Sequence, residues 1–147
     1  MCSAAVQPPS LAEFLQECRS ALSYLKDYGF DEVPAPKHRS SNPFEVWFRA
    51  DDRFIIVTGE GYGKVASVSL EHSSGLATSE IRLVPKDKRP EPYRRSRKGS
   101  STQLEQIRRA AAFLRQFGAD FLQGDLERFL VVAKPIPGYL VEPRRDA

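Results

Sequence analysis

The sequence predicts an α+β fold: an antiparallel meander of three to four strands, with an N-terminal helix and two C-terminal helices packed on one face. Three observations support this prediction. Residues 44–70 hold the only Trp and the densest β-branched and aromatic content of the chain, which is typical of strands. Apolar residues recur at helical spacing on both sides of this stretch. The connections between its strands are short, which predicts antiparallel neighbours.

The first half of the meander contains two strands and a turn. Apolar and polar side chains alternate over residues 44–49, which predicts a strand with two different faces. Asp51 and Asp52 follow as a polar break suited to a tight turn. Residues 54–58 are apolar up to a final Thr, which predicts a central strand covered on both faces.

The second half begins at a glycine-rich turn. Residues 59–63 contain three glycines, which allow positive φ and a reversal of the chain. Alternation resumes over residues 64–70 and predicts a third strand. A fourth strand is predicted at residues 80–84, where Pro85 would end it.

The first helix is predicted to begin after Ser10 and to end at Gly29. Ser10 and Glu13 have the spacing of a capping box, in which each side chain accepts a hydrogen bond from the other's backbone amide. Gly29 suits a left-handed helix cap. The predicted buried stripe consists of Leu11, Phe14, Leu15, Cys18, Leu22 and Leu25.

Two more helices are predicted after residue 101. Thr102 and Glu105 repeat the capping-box spacing, and Gly118 ends the second helix. A short third helix is predicted over residues 125–132, where prolines follow.

The chain is predicted to form one domain over residues 10–134. Residues 1–9 are predicted to be a disordered lead, and residues 135–147 a loose C-terminal tail. Residues 31–43 contain three prolines and should form an extended connection into the sheet. Residues 86–101 combine prolines with many basic groups, which predicts a mobile basic loop.

The composition is that of a globular protein, with 41% hydrophobic and 10% aromatic residues. No apolar run approaches the ~20 residues of a membrane helix, and residues 1–9 lack the features of a signal peptide. Cys2 and Cys18 are the only cysteines, so a disulfide framework is not expected. We therefore expect a soluble cytoplasmic protein.

No recognisable motif for catalysis or cofactor binding occurs in the sequence, and we expect no enzyme, no metal site and no cofactor. His38 and His72 are the only histidines, and they lie in different predicted loops without a nearby Cys. Ser73 and Ser74, beside His72, come nearest to a nucleophile with a base, but a polar turn explains them better. Residues 59–63 lack the spacing and the following helix of a phosphate-binding loop.

Residues 86–98 carry the strongest local charge signal. They hold seven basic and two acidic side chains, a net charge of +5 in a chain whose total is +3. Arg94, Arg95 and Arg97 could contact a phosphate backbone, with Tyr93 stacking on a base. The alternatives are a solvated loop that keeps the protein soluble and an acidic protein partner whose encounter the charge would speed.

Trp47 lies on the opposite side of the first strand from its apolar neighbours. If the helices cover those neighbours, Trp47, Arg49 and Tyr62 share an exposed sheet face, and such residue types anchor protein interfaces. The alternative is that a loop or the third helix covers Trp47. The predicted partner-binding residues are Trp47, Arg49, Tyr62, Arg94, Arg95 and Arg97.

Three segments of the chain are similar to a known group of proteins: LAEFL at residues 11–15, YLKDYGF at 24–30 and AFLRQFGADFLQGDL at 112–126. Together they resemble small bacterial α+β proteins, some of which look like immunity proteins encoded beside polymorphic or secreted toxins. The resemblance spans most of residues 10–132 and transfers no catalytic residues. It implies a non-enzymatic protein that binds and neutralises a cognate toxin. The alternative function is a nucleic-acid-binding module that uses residues 86–98.

Overall fold

The computed structural model describes residues 8–39, 41–84, 87 and 102–137, and within them six antiparallel strands form one sheet. The strands lie in chain order, so each pairs with its sequence neighbours. The predicted α+β class is confirmed, whereas the predicted number of three to four strands is wrong. The strands are β1 (Asp31–Val33), β2 (Glu45–Ala50), β3 (Arg53–Glu60), β4 (Val65–His72), β5 (Leu76–Ser79) and β6 (Lys134–Pro135).

The three central strands occupy the predicted region, and their register gives the sheet two distinct faces. Val46, Val57 and Val68 lie side by side on β2, β3 and β4 and are all buried. Their face packs against the helices and is called the helix face below. Trp47 and Ile56 form the next pair of neighbours, and they point to the opposite, outer face because side chains alternate along a strand.

The fourth predicted strand, at residues 80–84, is wrong. Glu80–Leu83 forms a 3₁₀ helix, and the strand lies just before it as β5. Glu80 and Leu83 are three positions apart and both buried, because a 3₁₀ helix has three residues per turn and places them on the same side. Over so few residues, the alternation of Ile81 and Leu83 does not distinguish a strand from a 3₁₀ turn.

Two short strands at the sheet edges lie where loops were expected. β1 forms at the start of the predicted extended connection, residues 31–43, and pairs with β2. β6 includes the first residue of the predicted loose tail, and the Ile136 N–H also donates to the Gly75 carbonyl at 2.9 Å. Pro34 directly follows β1 and Pro135 lies within β6, and prolines at sheet edges limit further strand pairing.

The predicted helix starts after Ser10 and Thr102 are confirmed, whereas the predicted number of two C-terminal helices is wrong, because three α-helices lie within residues 102–137. The predicted third helix, residues 125–132, begins at Glu127. In both predicted capping boxes, the hydroxyl accepts from the Glu amide at 3.1 Å and the Glu carboxylate accepts from the cap amide at 2.8 Å. The predicted first helix continues beyond Leu22 only as a 3₁₀ helix, which Gly29 ends at φ 85°. None of these helices is long and apolar enough to cross a membrane. They are α1 (Leu11–Ala21), the first 3₁₀ helix (Ser23–Tyr28), the second 3₁₀ helix (Glu80–Leu83), α2 (Gln103–Phe117), α3 (Ala119–Gln123) and α4 (Glu127–Val132).

The hydrophobic core lies between the helix face and the helices. Phe14 from α1 and Leu114 from α2 are fully buried against it, and each such side chain stabilises the fold by about 1.5–3 kcal/mol. Cys18 is also fully buried, and burial raises the pKa of its thiol to about 12. The thiol therefore stays protonated and packs as a small apolar group, as the sequence predicts.

Candidate interaction surface

Trp47, the first predicted contact residue, is buried, with 4% of its surface exposed. Its ring meets the Phe54 ring edge to face at 5.7 Å, and its indole N–H donates to the Glu45 carboxylate at 2.7 Å. The Arg39 guanidinium lies 5.1 Å from the ring centroid. The expected exposure of Trp47 is thus wrong, and the alternative, coverage by a loop, describes this side chain.

Arg39 comes from the connection between β1 and β2 and crosses the outer face of the sheet. Its two terminal nitrogens donate to the two Glu71 carboxylate oxygens at 3.1 and 2.9 Å. Glu71 lies on β4 and is 7% exposed, so the pair is largely shielded from water. A bidentate pair of this kind is stronger than a single hydrogen bond, and it holds the connection over Trp47.

Arg49, the second predicted contact residue, is exposed on the outer face. Its Nε donates to the Asp51 carbonyl at 2.7 Å, and its guanidinium lies 5.4 Å from the Phe54 ring centroid. Both contacts hold the side chain beside the β2–β3 turn. Arg49 therefore presents a positive charge at that end of the sheet.

Tyr62, the third predicted contact residue, stands at the tip of the β3–β4 hairpin with 97% of its surface exposed. Its φ is 57°, between Gly61 at 64° and Gly63 at 87°. A bulky residue in this left-handed region is a conformational outlier, and such outliers often mark functional sites. The tip is thus a projecting aromatic side chain on a strained turn.

The predicted contact residues do not form one patch. Arg49 lies at the β2–β3 turn and Tyr62 at the β3–β4 turn, which are opposite ends of β3. The eight residues of that strand separate them by roughly 25 Å. Arg94, Arg95 and Arg97 lie outside the described residues, as does the predicted loop 86–101 apart from Asp87, which is exposed.

The base of the Tyr62 hairpin is held by the first turns of α2. The Gln106 amide donates to the Lys64 carbonyl at 2.8 Å and accepts from the Ala66 N–H at 2.9 Å. The Gln103 amide donates to the Val65 carbonyl at 2.8 Å. These contacts fix the hairpin to a helix, which makes Tyr62 a preorganised projection.

The chain before α1 supports the same hairpin from another side. A Cβ placed on Gly63 would clash with Pro8, so Pro8 packs directly against the turn. Only Gly permits both this close approach and the positive φ at position 63. The predicted disordered lead, residues 1–9, therefore includes a residue that touches the candidate site.

His72 joins two neighbouring turns at the Arg49 end of the sheet. Its Nε2 lies 3.0 Å from the Asp52 carboxylate, and its Nδ1 lies 2.8 Å from the Ser74 hydroxyl. The Ser74 N–H donates to the same Nδ1 at 3.1 Å, so Nδ1 is the acceptor and Nε2 carries the proton.

This Asp–His–Ser chain has the composition of a catalytic triad but not its geometry. The Ser74 hydroxyl and amide compete for one nitrogen lone pair. The Ser73 and Gly75 amides donate to the Asp52 and His72 carbonyls, both at 2.9 Å, so they are not aimed at an oxyanion. The contacts close the two turns, in agreement with the polar-turn interpretation.

Arg53 is a buried charge whose role the sequence analysis missed. It is 7% exposed, and its Nη1 donates to the Phe121 carbonyl at 2.9 Å and to the Leu122 carbonyl. Its guanidinium also lies 5.2 Å from the Phe30 ring centroid. Arg53 satisfies carbonyls near the end of α3. Its position at the start of an apolar strand was the only available signal.

Glu80 is another buried ionisable group, 7% exposed at the start of the second 3₁₀ helix. Its Oε2 has no hydrogen-bond partner. Burial raises the pKa of this carboxyl to about 7, because transfer from water disfavours the charged form.

Within the described residues, no cluster of three or more His, Cys, Asp or Glu side chains could hold a metal ion. No protein family, characterised protein or solved structure matches this chain. The site is therefore interpreted from its own geometry.

Proposed function

We propose that this protein is a non-enzymatic binding protein and that the Tyr62 hairpin inserts into a partner protein. The observation that carries the proposal is the 97% exposure of a tyrosine at positive φ. Gly, Asn or Asp would satisfy such a turn with less strain. A role in binding accounts for an aromatic residue there, because Tyr is enriched among residues that dominate binding energy.

The support beneath the hairpin favours the same function. The Gln103 and Gln106 contacts and the packing of Pro8 on Gly63 hold the tip before any partner arrives. A preorganised projection loses less conformational entropy on binding than a flexible loop. Trp47 is not among the proposed partner-binding residues, because it is buried.

The proposed partner is a cognate bacterial toxin, and the proposed compartment is the cytoplasm. The partner rests on the resemblance of residues 10–132 to small bacterial α+β proteins, some of which look like immunity proteins that block a toxin. The compartment rests on the sequence features that predict a soluble cytoplasmic protein. Arg49, Arg94, Arg95 and Arg97 remain proposed charged contacts, whose main effect would be to speed encounter with an acidic surface.

The test is a pull-down of the tagged protein from lysate of its native cells, with nuclease treatment and a moderate-salt wash. The key variant is Tyr62→Gly, which removes the aromatic ring and relieves the positive φ. Its free energy of unfolding should be unchanged or up to about 1 kcal/mol higher. Loss of binding then cannot be attributed to loss of the fold.

The matched control is Val131→Ala, which trims an apolar side chain that is 70% exposed on α4. We expect the native protein and this control to retain one stoichiometric protein partner. Tyr62→Gly should bind that partner at least about 30-fold more weakly. Equal retention by Tyr62→Gly would refute the hairpin as the anchor.

The nuclease step distinguishes the alternative function. If all partners disappear on nuclease treatment, the protein is a nucleic-acid-binding module, and residues 86–98 become the first region to neutralise. Affinity would then fall steeply with salt concentration. Growth protection on coexpression would identify a retained partner as a toxin.

A further inference from the structure

A groove of about 430 Å³ lies between α1 and α2, and none of its lining residues belongs to the Tyr62 hairpin. Part of its lining consists of the small apolar residues Ala21, Ala111 and Ala112. The Tyr24 hydroxyl donates to the Ala111 carbonyl at 2.6 Å. The donor of the Tyr24 hydroxyl is therefore occupied within the protein. A partner would contact this part of the groove through its apolar lining.

The charged part of the lining is basic. Arg108, Arg115 and Gln116 complete the groove, and no carboxylate lines it. The Arg115 guanidinium lies 5.1 Å from the Tyr24 ring centroid and is exposed. Its N–H groups remain available to a ligand because a ring face accepts the cation without using them.

Arg108 makes only weak contacts with its neighbours in the protein. Its Nε lies 3.7 Å from the Glu17 carboxylate and 3.4 Å from the Leu104 carbonyl. Its side chain is 56% exposed and that of Glu17 is 19% exposed, and an ion pair with one partner largely in water contributes little. A ligand carboxylate can therefore replace or share the Glu17 contact.

The distance between Arg108 and Arg115 indicates how the charges of a matching ligand should be spaced. Arg108 and Arg115 are seven residues apart on α2, which places them on one side of the helix about 10 Å apart along its axis. Ala111 and Ala112 lie between them in the sequence. Two carboxylates about two helical turns apart on a second helix would match this pattern.

We propose that the groove binds an acidic amphipathic helix of a partner protein. Two of its carboxylates face Arg108 and Arg115, and small apolar side chains pack on Ala112, which is exposed, and on the half-buried Ala21. A nucleic acid fits less well, because a phosphate backbone would not use the apolar lining of the groove. The groove site goes beyond the proposed function of the hairpin, and either site can exist without the other.

The probe is a fluorescein-labelled helical peptide of about 18 residues, long enough to form a helix, with Ala and Leu on one face. It carries two Glu residues seven positions apart, and the control peptide carries Gln at both. Binding to the full chain is measured by fluorescence anisotropy at an ionic strength of about 0.15 M, where the Debye length is about 8 Å. We expect the Glu peptide to bind and the Gln peptide to bind at least about tenfold more weakly.

Three variants localise the binding. Arg115→Gln should weaken the Glu peptide about tenfold, and Ala112→Leu should abolish binding by filling the groove. Arg109→Gln is the matched control, since it removes the same charge from an exposed position of α2 that does not line the groove. It should change the affinity less than about twofold.

Four results would overturn the proposal. They are equal binding of the two peptides, equal effects of Arg115→Gln and Arg109→Gln, unchanged binding by Ala112→Leu, and no binding up to about 1 mM protein. Displacement of the peptide by a DNA oligonucleotide of higher affinity would assign the groove to nucleic acid instead. Tyr62→Gly should leave the peptide affinity unchanged, which separates this test from that of the hairpin.

Discussion

Glu80→Gln should remove a pH dependence of stability that this buried carboxyl creates. Glu80 is 7% exposed, and its Oε2 accepts no hydrogen bond. Burial raises the pKa of the group from 4.5 to about 7 in the folded protein. The amide of Gln has nearly the same shape and cannot ionise, so the substitution tests the charge with little change in packing.

The direction in which stability changes with pH follows from proton linkage. Between the unfolded pKa of 4.5 and the folded pKa of about 7, the folded protein binds more protons than the unfolded chain. The contribution of Glu80 to stability is therefore fully present below the lower value and is lost as the pH rises through the higher one. The pKa difference corresponds to about 3 kcal/mol in the free energy of unfolding.

The assay is urea unfolding of the native protein and Glu80→Gln between about pH 5 and pH 8. Trp47, the only Trp, is buried and reports unfolding by fluorescence. Glu60→Gln at an exposed position is the control. Glu32, whose carboxylate accepts hydrogen bonds from Arg19 that lower its pKa, contributes equally to all three proteins and cancels in the differences.

At about pH 5 the native protein and Glu80→Gln should differ by less than about 1 kcal/mol. At about pH 8 the variant should be more stable by up to about 3 kcal/mol. A stability difference that stays constant across this pH range would refute the reasoning, because it would mean that Glu80 ionises equally in the folded and unfolded chains.

Two other experiments test the outer face of the sheet. Trp47→Ala should lower the free energy of unfolding by about 3–5 kcal/mol, measured by far-ultraviolet circular dichroism in urea, and a loss below about 1 kcal/mol would place the ring in solvent. A double-mutant cycle with Arg39→Ala and Glu71→Gln should give a coupling energy of about 1–2 kcal/mol, since Glu71 is 7% exposed. A coupling near 0.3 kcal/mol would be that of an exposed pair instead.

The candidate site was only partly predictable. The glycine-rich segment 59–63 indicated a turn, and Tyr62 within it is exposed, although at the hairpin tip rather than on the predicted sheet face shared with Trp47 and Arg49. Its support by Gln103, Gln106 and Pro8 joins residues about 40 or more positions apart. Such long-range contacts leave no periodic pattern of apolar residues in the sequence. The groove between α1 and α2 was likewise not visible in the sequence, because it depends on how two helices pack.

Burial of the charged and aromatic residues depended on partners from distant segments. Arg39 covers Trp47 from a connection whose composition indicated only an extended chain. Arg53 is buried because the Phe121 carbonyl of α3, 68 residues away, accepts a hydrogen bond from its guanidinium. Alternation along β2 assigned Trp47 to the outer face correctly, but it carries no information about what lies over that face.

The sequence by itself determined the local structure: both capping boxes, the left-handed Gly29, the central strands and their two faces. These features depend on residues within a few positions of one another, where spacing directly sets hydrogen bonding and side-chain direction. Tertiary structure alone decided the short strands β1, β5 and β6 and the burial of Trp47, Arg53 and Glu80. Strands of two to four residues contribute too few hydrogen bonds to form without a paired neighbour, and a side chain is buried only when another part of the chain covers it.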